Sequence, residues 1–193
     1  MAEQRSDADA ARFLTQATFG MNSLSDITNL RAMGLQAWLD QQFATPAASH
    51  VDYVNQRASA NADSSGRPRP RDEMSYEAIW QQWLFGADQL RARVSFALSQ
   101  IFVVSNIAPD LRPHAMSSYM DMLNRHAFGD FRTLLREVTL HPTMGYYLNM
   151  VNSQKADAKT GAHPNENYAR EVLQLFSIGL VKLQPNGLPQ LDA

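Results

Sequence analysis

Pro164-Asn165-Glu166-Asn167-Tyr168-Ala169-Arg170-Glu171-Val172-Leu173-Gln174-Leu175-Phe176-Ser177-Ile178-Gly179 is the stretch that decides the fold class. Its apolar positions recur with the period of an α-helix. Asn165 is a good N-cap, Pro164 fits just outside it, and Glu166 sets negative charge at the positive helix end. At about 100° per residue, Glu166, Asn167, Arg170, Glu171, Gln174 and Ser177 share an arc of about 140°. Tyr168, Ala169, Val172, Leu173, Leu175 and Phe176 fill the opposite arc, which is expected to face a core. Gly179 supplies the C-terminal turn, with Leu175 and Leu180 in position for the hydrophobic contact that goes with it.

Outward from this helix the same periodicity recurs, and alternating strand patterns are nearly absent. Upstream helices are expected from Ser6 or Asp7 to a stop at Gly20, over 25–33 before Gly34, and over 35–43 before Pro46. Leu35, Trp38, Leu39 and Phe43 form the buried face of the third. Residues 56–72, rich in Ser, Ala, Arg and Pro, read as a flexible linker inside one helical domain spanning 1–193. Ser75 then caps a helix with Ile79, Trp80, Trp83 and Leu84. Asp88 caps a long one, apolar nearly all round, which belongs in the centre of a bundle. Pro113 opens the next, with Met116, Tyr119, Met120 and Leu123 aligned. Gly129-Asp130 and His141-Pro142 bracket a further helix, and a short helical piece, 143–148, leads to the polar loop 149–163. The fold expected is all-α, an irregular bundle of about eight to ten short helices.

Composition narrows the function classes. The net charge of −2 gives no electrostatic reason to expect nucleic acid as a partner. The short basic run Arg67-Pro68-Arg69-Pro70-Arg71 reads as a solvated loop. With no cysteine, thiolate nucleophiles and Cys-ligated zinc or iron–sulfur sites are ruled out. No apolar run is long enough for a membrane span. Residues 1–7 carry neither the basic nor the apolar region of an export signal.

The run 165–179 resembles the signature of a large bacterial family, the domain-of-unknown-function family numbered eighteen hundred. Ala11-Arg12-Phe13-Leu14-Thr15-Gln16-Ala17-Thr18-Phe19-Gly20 is similar to its opening, and Leu35-Gln36-Ala37-Trp38-Leu39-Asp40-Gln41-Gln42 to its next block. Leu90-Arg91-Ala92-Arg93, Phe102-Val103-Val104-Ser105, His141-Pro142-Thr143-Met144 and Tyr147-Leu148-Asn149 follow in the family's order. The resemblance implies an exported protein in the periplasm or outside the cell, often paired with a second exported protein. It also implies that this chain is the N-terminal portion of a longer family domain, whose C-terminal part would be its partner and cover apolar surface. Many members carry a Trp-His-Asn-His-Phe run in the long central helix. Here Leu98-Ser99-Gln100-Ile101-Phe102 takes its place, so metal chemistry built on those histidines does not carry over.

The candidates for chemistry lie around the signature helix. Glu166 can pair with Arg170, and Asn167 can hydrogen-bond Glu171, each exposed pair being worth only ~0.2–0.5 kcal/mol. If something covers this arc, Glu166, Arg170 and Glu171 become catalytic candidates, because charges are costly to bury unless paired. Asn149, Asn165 and Asn167 are the binding candidates. His141 and His163, with Glu166, form the nearest thing to a metal set, but two ligands close in sequence do not make a site. No cofactor is expected. The loop 149–157 offers oxygen ligands without an EF-hand pattern, and there is no Gly-x-Ser-x-Gly elbow or phosphate loop. Two readings follow. One is a non-catalytic helical module acting in cell-envelope assembly or in binding an extracellular polymer or partner. The other is an enzyme of unassigned reaction whose polar site lies on the helix starting at Asn165.

Overall fold

The computed structural model describes residues 6–106 and 112–190. Among them the fold is all-α: α1 (Asp7–Ala17), α2 (Ser25–Met33), α3 (Leu35–Ala44), α4 (His50–Ala60), α5 (Glu73–Phe85), α6 (Gln89–Ile101), α7 (Pro113–His126), α8 (Phe131–Leu140), α9 (Pro142–Tyr147) and α10 (Asn167–Gln174). The extended pairings among these residues are isolated bridges, Asp157 with Ala162 and Leu183 with Pro189. Among the described residues no helix is long and apolar enough to cross a membrane.

Local chemistry explains most boundaries. Ser6 and Asp130 cap α1 and α8 by accepting the Asp9 and Thr133 amide protons. Pro113 sits in the first turn of α7, where its missing N–H costs nothing. Gly34 adopts φ +85° between α2 and α3, a conformation that a side chain would resist. Helix α4 starts at Ser49, whose hydroxyl accepts the Asp52 N–H, and it runs through Ala60. The chain then turns back on itself. The Asp63 carboxylate accepts from Ser65 and Arg67, and the Arg69 N–H returns to the Ala58 carbonyl.

The spine of the bundle is α7, against which α4, α5, α6, α8 and α9 all pack. The apolar pattern points instead to α6, but α6 leaves Ile101 exposed and fully buries only Ala92 and Ser95. In α7 a continuous run from Tyr119 to Asn124 is buried. Two of its polar members, Tyr119 and Asp121, go inside paired. Tyr119 O–H donates to the Phe102 carbonyl at 2.8 Å, and Asp121 accepts from the start of α4. Around Tyr119, Met122 and Leu123 gather Phe102, Leu134, Val138, Met144, Tyr168 and Phe176. A second cluster, Ala10, Leu14 and Leu30 with Phe13, Ile27, Leu35 and Trp38, holds α1–α3 together. That layer meets the bundle at α6. There Phe19 stacks on Trp83 at 4.4 Å and Arg93 lies over the Phe19 ring. Phe43, expected inside, is half exposed and packs edge-on against Phe128.

Candidate functional site

The signature helix begins later than its sequence suggests. Asn165 forms a turn in which its Oδ1 accepts the Asn167 N–H at 3.0 Å, and Glu166 stands at the N-cap without a side-chain cap. The helix is moored to the bundle by two aromatic residues. Tyr168 O–H donates to Thr139 Oγ1 on α8 at 2.6 Å, and the Phe176 ring lies 5.2 Å from that of Phe102. Val172 is half-buried beside them, whereas Ala169, Leu173 and Leu175 face outward.

Glu166 and Arg170 form an ion pair at 2.7 Å whose side chains are 79% and 56% exposed. No side-chain hydrogen bond joins Asn167 to Glu171. Glu171 differs from its neighbours, because it is half-buried and its Oε2 is enclosed without a hydrogen-bond partner.

The structure brings Asn149, Asn165 and His163 to one open dish of about 330 Å³, completed by Asn152, Ser153 and Gln154. Asn149 and Asn152 hold positive φ, 58° and 64°, which asparagine tolerates better than other side chains. The Ser153 hydroxyl accepts the Asn165 N–H at 2.9 Å and ties the dish to the helix start. His141 does not line it. Its Nδ1 accepts the Thr143 N–H as the cap of α9, and burial holds its pKa below the usual histidine value. Among the described residues, no three histidine or carboxylate side chains come together so as to hold a metal ion.

A second polar cluster, which the sequence reading missed, lies inside the bundle. Asp121 on α7 accepts the His50 N–H at 2.7 Å, the Val51 N–H at 3.2 Å and the Ser49 hydroxyl at 3.2 Å, capping α4 from another helix. Gln82 links His50 Nε2, at 2.9 Å, to Asp88, at 2.8 Å, and Asp88 also accepts the Ala48 N–H. Since the Gln82 amide donates to Asp88, its carbonyl oxygen faces His50 and takes the Nε2 proton. Burial pushes the His50 pKa down, against the pull of Asp121 and Asp88. The available signal was Ser49-His50-Val51-Asp52, a Ser-x-x-Asp pattern before an apolar helix face. Residues spread from 48 to 121 meet here, and spacing alone cannot announce that.

This fold and its signature segment can be set beside known proteins. The family described as "Protein of unknown function (DUF1800)" matches residues 12–187. The chain belongs to the DUF1800 family. The match takes in every helix from α2 to α10 and most of α1. No curated protein and no solved structure matches the chain. DUF1800 membership therefore names relatives but no reaction.

Proposed function

We propose that this DUF1800 chain is a non-catalytic binding module of an exported bacterial protein, acting in cell-envelope assembly or in holding an extracellular polymer or partner. The exported setting comes from the family resemblance. The observation that supports binding is the way the signature segment presents itself. Glu166 and Arg170 lie in solvent, and Leu173, Leu175, Ile178, Leu180, Val181, Leu183 and Leu188 are exposed along the same segment. Scattered single apolar residues are ordinary on a surface, whereas a run of them marks a contact face.

Co-sedimentation of the purified protein with washed bacterial envelope and with insoluble polysaccharide tests this. Retention is expected, and the double variant Ile178→Asp, Leu180→Asp should lose the envelope-bound share while Glu166→Gln keeps it. Absence of any retention overturns the module reading. A second reading rests on Glu171 alone, whose enclosed and unpartnered oxygen is the kind of carboxylate that serves as an acid or base. It requires soluble product released from the envelope by the wild type and not by Glu171→Gln.

A further inference from the structure

Residues of α1, α2 and α3 line an open cleft of about 730 Å³ with Gly86 and Gln89, at the corner between α5 and α6. Small-molecule sites have volumes in this range. The back wall is fixed by glutamines. Buried Gln42 donates to the Ala87 carbonyl at 3.1 Å and accepts the Leu90 N–H at 3.0 Å. Gln89 donates to the Gln82, Trp83 and Gly86 carbonyls and accepts the Phe19 N–H. At Gly86 a Cβ would stand 2.5 Å from the Gln82 carbonyl oxygen, so no side chain fits there. Such a wall loses little freedom when a ligand arrives.

The front is different. Asn22, Asn29 and Gln41 line the cleft, are exposed, and make no side-chain hydrogen bond with any described residue. Each therefore keeps two N–H donors and a carbonyl acceptor for a ligand. Half-buried Trp38, with Met21 and Met33, supplies the apolar surface beside them. The one ionisable side chain in the lining is Asp26, and its Oδ2 already accepts the Asn22 and Ser23 amide protons. A phosphorylated or acidic ligand would find no counter-charge.

We propose that this cleft binds a neutral saccharide, its hydroxyls meeting the unpaired carboxamides of Asn22, Asn29 and Gln41 and a sugar face lying against Trp38. A hydroxyl both donates and accepts, as a carboxamide does, and an indole offers apolar area with a polar edge. A peptide is the poorer fit. The lining is made of helices and the turns between them, and among the described residues it offers no strand edge to pair an extended backbone. The inference rests on the binding-module reading and names the ligand class of a separate surface.

Cellotetraose, xylotetraose and chitotetraose, with tetraalanine as the peptide control, are the probes for titration by calorimetry and amide NMR at millimolar concentration. At least one tetrasaccharide is expected to bind and to shift resonances of 20–42. Asn29→Ala and Gln41→Ala should each weaken it about fivefold, the effect of losing one hydrogen bond. Trp38→Phe should weaken it further, with Glu166→Gln as the unaffected control. Asn29 and Gln41 are exposed, so melting temperature should stay unchanged in those two variants. Failure of all three sugars, equal binding of tetraalanine, or binding untouched by Asn29→Ala and Gln41→Ala overturns the proposal. If envelope retention persists in that case, the module reading stands and only the cleft assignment falls.

Discussion

Asp121 accepts the amide protons of His50 and Val51 at the start of α4, so removing its carboxylate strands donors at a buried helix end. Hydrogen bonds to a charged acceptor are worth more than neutral ones, and an unsatisfied buried donor costs the desolvation of that group. Asp121→Ala is therefore expected to destabilise the protein by about 3 kcal/mol, and Asp121→Asn by less, since one carbonyl oxygen remains. Urea unfolding measures both, with an unchanged slope indicating that the folded and unfolded states keep their extent. A loss under ~0.5 kcal/mol for the alanine variant, the range of an ordinary surface substitution, would refute this cap. Asp121 sits between Met120 and Met122 in a helix that reads as core. Its partners are some 70 positions away, at 49, 50 and 51. No local pattern reveals such a pairing.

At the scale of elements, α10 is held by its ends. Tyr168 and Phe176 are buried, and the helix has no further buried residue between them. Phe176→Ala is expected to cost about 3 kcal/mol, the lower part of the range for deleting a buried ring. It should also raise amide exchange in α10 before α7 responds, because the helix can detach as a local unit. Arg170→Ala removes an exposed pair and should cost less than about 0.5 kcal/mol. Equal losses from the two variants would mean that the polar arc is not solvated as described. The amphipathic arcs of this helix were legible in the sequence, together with its polar pairing of Glu166 with Arg170. Periodicity says which residues can face a neighbour, however, not whether a neighbour is there. Ala169, Leu173 and Leu175 lie on the apolar arc and still meet solvent. The opposite error occurred at α4, where Asn55, Gln56 and Arg57 hide a helix whose buried stripe is only His50, Val54 and Ala58.

For the whole molecule, the all-α class followed from helical periods along the chain, but the choice of spine did not. Hydrophobicity favoured α6, and the buried polar pairings that let α7 take the centre are tertiary. Those pairings also set how stability responds to pH. Burial holds His50 below its ordinary value of 6.5 despite Asp121 and Asp88 beside it. His141 is lowered from the same value, first by burial and then by Arg125. In the unfolded chain both return to about 6.5. Above that pH each is neutral in both states and its contribution is complete. Below it the unfolded chain binds protons that the folded one refuses, so stability falls as pH drops from about 6.5 toward the lowered folded-state values. Asp63 and Asp130 are lowered too, from 3.8, and so act only at more acid pH. The melting temperature is thus expected to be lower near pH 5.5 than near pH 7.5, with the difference reduced in His50→Gln, whose side chain does not titrate. A melting temperature that is flat, or that is higher near pH 5.5 than near pH 7.5, would mean His50 takes a proton in the fold as readily as in the unfolded chain. Asp121 would then be its ion-pair partner as well as the cap of α4.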